Sequence, residues 1–301
     1  MSRRGWWLFA AMSVIWGVPY LLIKVAVGEF SPVVVVFLRC AVGAVLLVPW
    51  TLARGQLRQV LRHWRPLLVF TVLEMTGPWL LLSWAEQSLS SSLTGLLVAG
   101  VPFVAALTAR LAGEDDRLSP VRIVGMLLGV AGIVTLLGLD VGGAQLTAIG
   151  AVALVVIGYA TAPMIVSRKL PDVSGVTASA FALVVTAVVY APFAVPQLGR
   201  VGEASGSALL SIAALGVFST AVALALFFTL IREVGPQRAL VITFVNPAVA
   251  VGLGVLLLDE PFTPGLAVGL PLILLGCVLA TRRSRAPRSV GELGEVDAAV
   301  P

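Results

Sequence analysis

Residues 246–265, NPAVAVGLGVLLLDEPFTPG, decide the fold. A continuous apolar run ends in Asp259-Glu260, and Thr263-Pro264 then opens a second apolar run. Proline suits the first turn of a helix, where its missing N–H has no intrahelical acceptor anyway. The stretch therefore reads as helix, tight turn, helix. The pattern stands earlier in the chain as well. At a shift of about 144 residues, Arg117-Leu-Ser-Pro120 falls on Pro261-Phe-Thr-Pro264, Gly125 on Gly269, Gly132 on Gly276 and Asp116 on Glu260. With one gap, Pro102 falls on Pro247, Leu89 on Val234, and residues 67–82 on 212–227. Shared hydrophobicity alone would not register prolines, glycines and acids together.

The solvent around these helices follows from composition. Of 301 residues, 59% are hydrophobic and 12% charged, with a mean hydropathy of +1.04. A soluble domain carries roughly 25% charged residues, so this chain has too little polar surface for a water-facing shell and needs lipid. The net charge of +5 does not indicate nucleic acid, because the basic residues fall between apolar runs and form no stripe. Cys40 and Cys277 sit far apart in apolar runs, without disulfide or metal spacing.

A membrane-spanning helix needs roughly 20 apolar residues. Ten segments qualify or nearly so: 6–27, 33–53, 66–86, 91–111, 121–139, 147–166, 176–197, 207–230, 237–258 and 265–281. Helix is favoured over strand because backbone groups in lipid must be paired within the segment, and no in/out alternation suggests a barrel. Ser31-Pro32 caps and opens a helix, and Arg65-Pro66, Ser119-Pro120 and Thr263-Pro264 each open another. Residues 6–14 after Met1-Ser-Arg-Arg resemble a signal peptide. Trp16-Gly17-Val18-Pro19 continues the run without a cleavage pattern, so an uncleaved first helix is expected. All of the 20 Lys and Arg except Lys24, Arg39 and Arg200 fall in alternate connections or at the two ends. By the positive-inside rule this predicts a multi-pass cell-membrane protein with both termini cytoplasmic.

The expected fold is all-α and integral to the membrane, with repeats over 1–143 and 144–283 and a disordered cytoplasmic tail over 284–301. Five helices per repeat is an odd number, so the second copy enters from the opposite side and the repeats are inverted. Inverted repeats around a midplane site suit alternating access.

These residues resemble the drug/metabolite transporter superfamily, specifically its ten-helix members with two EamA domains, over about residues 6–282. The resemblance rests on Trp16-Gly17, Ser31-Pro32 with Phe37-Leu38-Arg39, and Gly95 through Pro102 to Gly113-Glu114. Its other half runs from Asn246-Pro247-Ala248 to Leu257-Leu258-Asp259-Glu260, then Thr263-Pro264 and Gly269 to Gly276. The resemblance implies a carrier that exports or imports small metabolites such as amino acids, nucleotide precursors or drugs, and outward transport is the expectation for this chain. Gly113-Glu114-Asp115-Asp116 departs from the family's single acidic residue.

Polar groups inside a membrane mark candidate sites. Glu74 lies eight residues after Pro66, roughly 12 Å into its helix. It could contact a substrate ammonium, exchange a coupling proton, or simply bond a neighbour such as Ser219 or Thr220. Lys24 divides between a substrate-carboxylate contact and snorkelling to the interface, whereas packing with snorkelling is expected for Arg39. Trp16, Gly17, Pro19 and Tyr20 occupy the middle of the first helix. Pro19 there removes the bond to the Ile15 carbonyl, favouring a kink that lines a cavity. Trp79 and Ser83 share a face with Glu86 nearby, and Trp84 is an interfacial anchor. Tyr159 and Asn246 are the second repeat's midplane candidates, although Asn246 could instead satisfy backbone groups freed by Pro247. Gly125-x-x-x-Gly129 and Gly265-x-x-x-Gly269 permit close helix packing within a monomer, or a homodimer seam.

The leading expectation is a secondary transporter of a small-molecule substrate in the lipid bilayer, with no cofactor, no metal, no ATP loop and no nucleic-acid partner. An intramembrane enzyme acting on a lipid-linked substrate would need clustered carboxylates or His at one interface, and only Glu114-Asp115-Asp116 comes close. A receptor or assembly factor would carry a substantial soluble domain or long loop.

Overall fold

The computed structural model describes residues 2–111, 120–137, 143–235, 239 and 241–280. The Glu114-Asp115-Asp116 cluster, Ser119, Gln237 and the expected tail lie outside the described residues.

Among the described residues the fold is made of ten apolar helices. They are α1 (Arg3–Ala26), α2 (Pro32–Ala53), α3 (Trp64–Ala85), α4 (Ser91–Val98 and Val101–Leu111) and α5 (Pro120–Leu137) in the first repeat. In the second they are α6 (Gly143–Lys169), α7 (Gly175–Ala194), α8 (Gly206–Val234), α9 (Ile242–Leu257) and α10 (Pro264–Ala280). Seven are long and apolar enough to cross a membrane, and three shorter apolar helices accompany them. The bundle is apolar outside as well as inside: Val45, Leu127, Val188, Leu210 and Leu256 are all exposed, as lipid contact requires.

Helix starts follow local chemistry. Ser90, Ser174 and Ser205 cap α4, α7 and α8 by accepting from the main-chain N–H groups of Leu93, Thr177 and Ala208. Thr263 does the same for α10 through Leu266. Ser31 differs from expectation. Its hydroxyl donates to Gln197 Oε1 at 2.8 Å, so Pro32 opens α2 without a side-chain cap. Trp64 rather than Pro66 begins α3, which leaves the proline within the first turn.

Corresponding helices of the two repeats pack together: α5 on α10, α2 on α7 and α4 on α9. The pairs α1–α8 and α6–α3 also correspond across the repeats. The α5–α10 seam is built on glycine. A methyl at Gly276 would stand 2.6 Å from the Gly125 carbonyl oxygen and the Gly129 nitrogen, and one at Gly132 would stand 2.9 Å from the Gly269 oxygen. Both glycine motifs thus serve this seam within one chain, Gly125 and Gly129 against Gly276, Gly269 against Gly132 and Gly265 against the Thr135 carbonyl. Arg122 Nε ties the same seam by donating to the Ala280 carbonyl at 3.0 Å.

The repeat extends to a helix irregularity. A π turn interrupts α3 at Val72–Thr76, and another interrupts α8 at Val217–Val222. Their starts differ by 145 residues, the offset of the gapped sequence match. π turns widen a helix by one residue and often mark functional sites.

Candidate functional site

Both π turns feed one cluster. Arg39 stands seven residues beyond Pro32 in α2, and only 7% of it is exposed. Its Nε donates to Thr220 Oγ1 in the second π turn at 2.9 Å. Thr220's own proton goes to the Leu215 carbonyl at 2.8 Å, which turns the hydroxyl's lone pairs toward Arg39. The guanidinium lies over the Trp79 ring of α3, with Cζ 3.7 Å from the ring centroid. Gly43, one turn further along α2, lets this helix approach the π turn: a methyl there would meet Thr220 Cγ2 at 3.0 Å. Snorkelling is therefore not what Arg39 does. Its helix end is covered by α7 and α8, and the side chain binds inward.

Tyr20 of α1, Tyr159 of α6 and Glu86 at the end of α3 are the electrostatic neighbours of Arg39. Tyr159 packs against the buried cluster that holds Trp79, and Glu74, within the first π turn, is the next charge beside Tyr159. Tyr190 steadies that turn by donating to the Thr76 carbonyl at 2.7 Å, while the Thr76 and Thr186 hydroxyls meet at 2.8 Å. Tyr20, Glu74 and Tyr159 are half-buried, each with some surface left open.

Other candidates are committed to packing. Helix α1 is interrupted over residues 16–18, and Pro19 begins its second half. Gly17 sits against α9, where a methyl would be 2.5 Å from Val249. Trp16 packs on Phe227 of α8 with ring centroids 4.5 Å apart. In the amide orientation that satisfies its neighbours, Asn246 Nδ2 donates to the Ser13 carbonyl at 3.1 Å and the Ile242 carbonyl at 2.9 Å. It thereby fastens α9 to α1, and α9 runs uninterrupted through Pro247. Ser83 is 2% exposed on the inner face of α3, whereas Trp84 is 43% exposed on the outer one. An apolar cavity of about 250 Å³ opens sideways between α1 and α8, lined by Ile15, Val18, Phe218 and Ser219 among others.

The bundle has an arginine-rich end, with residues 54–65 and 168–169, and an arginine-poor end. At the poor end Lys24 Nζ donates to the carbonyls of Glu86 at 2.6 Å and Leu89 at 2.7 Å, capping the exit of α3. Glu260 accepts from both the main-chain N–H and the hydroxyl of Ser91 (2.7 and 2.8 Å) and of Ser92 (3.0 Å from the N–H), spanning the repeats. Burial pushes Glu260 up, but the bonds from Ser92 and Ser91 outweigh it and hold the carboxyl below its usual range. Glu29 grips Ser205 in the same way, which lowers its carboxyl too. At the arginine-rich end Gln56 accepts from Ser174 and Thr177. Arg39, Thr220 and Glu86 are the residues that sequence reading did not single out as a site.

The fold has known counterparts. The model of the EamA-like transporter family matches residues 3–138 and 146–282. The uncharacterized inner membrane transporter YedA of Escherichia coli (strain K12) is 29% identical over 283 residues, which cover 90% of this chain and 88% of that protein. The uncharacterized transporter YvbV of Bacillus subtilis (strain 168) is 23% identical over 286 residues, covering 94% and 93%. A solved structure described as "Crystal structure of protein" shares the fold with a TM-score of 0.64 at 22% identity, covering 93% of this chain and 97% of that one. With two matched segments spanning nearly all of its helices, this chain is a multi-pass membrane protein that belongs to the EamA-like transporter family of the drug/metabolite transporter superfamily.

Proposed function

We propose that the chain is a secondary carrier that exports a small metabolite, amino acid or drug-like solute by alternating access, with both termini cytoplasmic. One observation carries the proposal: a buried cation, Arg39, held between Trp79 of one repeat and Thr220 of the other. A guanidinium has five N–H donors in a planar fork. The Nε–H is used on Thr220 and one face on Trp79, so the remaining edge suits a carboxylate or similar planar anion. Tyr20 and Tyr159 offer hydroxyls and ring faces around it. Because its holders come from different repeats, a rocking of one half against the other would change the site's shape and access together. The arginine-rich end faces the cytoplasm in this orientation.

Glu74 is assigned the coupling proton. It sits in a helix irregularity beside Tyr159, where a carboxyl can gain and lose a proton without breaking a salt bridge. The test is efflux from reconstituted vesicles against a metabolite panel, with and without a pH gradient. Glu74→Gln should transport without responding to the gradient, and a variant still driven by protons would remove Glu74 from coupling.

A further inference from the structure

Glu86 is buried without compensation. It follows directly on α3, is 0% exposed, and neither carboxylate oxygen has a hydrogen-bond partner. The charged groups facing it are Lys24 from α1, Glu260 from the α9–α10 connection and Arg39 from α2, with Tyr20 alongside. Helix α6 packs along α3 but brings no Asp, Glu, Lys or Arg to this end. Asp140, in the α5–α6 connection, lies outside the described residues. Lys24 is occupied by two carbonyls and Glu260 by the two serines, and Arg39 makes no hydrogen bond to Glu86. Glu260 stays ionised there, which places a negative charge near Glu86.

An ionised carboxylate with no donor, in a dry site beside another carboxylate, is far costlier than the neutral acid. We infer that Glu86 is the proton site of the closure at the arginine-poor end, neutral while that end is shut and ionised once opening admits water. On opening, the O–H bond breaks, its electron pair stays on the carboxylate and the proton passes to water. The inference rests on the carrier reading only in requiring that this end opens. Closure holds one proton more than the open form. The closed-to-open ratio therefore falls by up to tenfold per pH unit as external pH rises. Alkali opens this end and mild acid shuts it.

The test uses the full chain in vesicles with Cys40→Ala and Cys277→Ala, and Ser83→Cys as a buried reporter one turn from Glu86. A membrane-impermeant maleimide is added from the arginine-poor side across a pH series. Rates are corrected for thiolate content against the exposed position in a Gln87→Cys protein. The S83C rate should rise by up to tenfold per pH unit, and E86Q should make it slow and flat. An E86Q protein that kept the parental pH dependence would overturn the inference. Should E86Q fail to fold, infrared spectra of an E74Q protein decide instead. A protonated-carboxyl band that disappears over the same pH range supports the assignment, and its absence at every pH refutes it. Labelling needs no substrate, so a pH-dependent reporter in a protein with no flux would refute the carrier and leave Glu86 assigned. Normal flux with a flat reporter would do the reverse.

Discussion

Gly276→Ala tests whether the two repeats are joined through backbone contact between α5 and α10. The added methyl would stand 2.6 Å from the Gly125 oxygen and the Gly129 nitrogen, and 2.8 Å from Gly129 Cα. Ordinary contact begins near 3.4 Å, so the helices must part by about 0.8 Å. The opposing atoms are backbone, and no rotamer change relieves them. Overpacking of this kind costs about 1–3 kcal/mol, against which alanine's better helix propensity returns roughly 0.5–1 kcal/mol. The net expectation is a loss of about 1–2 kcal/mol. Gly150→Ala in α6 is the internal control, because nothing lies within 4 Å of its added methyl. It receives the propensity gain alone and should stabilise by about 0.5–1 kcal/mol. Reversible unfolding in mixed detergent, followed by circular dichroism, measures both. If G276A proved as stable as G150A, the glycine seam would not be what holds α5 against α10.

Two further predictions concern the site and its closure. Thr220→Val keeps the shape but leaves the Arg39 Nε–H without its acceptor, which should cost about 1–3 kcal/mol. In vesicle flux assays KM should rise about fivefold or more, with a loss of thermal stability of the same order as for G276A. Glu260→Gln weakens the bonds to Ser91 and Ser92, so the S83C reporter should label faster at neutral pH. In the parent, the carboxyl is held below its free value of about 4.3. Its contribution to closure is complete above that value and lost as pH falls through the lowered one, so strong external acid should open this end. The E260Q protein should lack that acid limb.

Much of the fold was legible in the sequence, because lipid imposes length and continuity on every crossing segment. The repeat was legible because prolines, glycines and acids kept register at one shift. The π turns were not. Pro78 follows the first, but Ala223 stands at the matching place after the second, so no shared residue announces them. The site was legible in its aromatic residues and obscured in its charges. Position along α2 says how far Arg39 lies from a helix end, not that α7 and α8 cover that end. Its partner Thr220 is 181 residues away. Trp16 read as a cavity-lining residue, yet it packs on Phe227, and of the two readings open for Asn246 its bonds to the Ser13 and Ile242 carbonyls match the one with backbone groups. Glu86 stood in plain view beside Trp79 and Ser83, but its isolation depends on Lys24 and on a connection from the other repeat.

Substrate counterflow in vesicles tests the central claim most directly. Vesicles preloaded with an unlabelled candidate solute should accumulate its labelled form through the parent protein. Arg39→Gln, shown by circular dichroism to be folded, should abolish accumulation while the S83C reporter keeps its pH response, displaced to higher pH by the loss of a cation facing Glu86. An R39Q protein that exchanged solute at the parental rate and KM would contradict a carrier built around this buried cation.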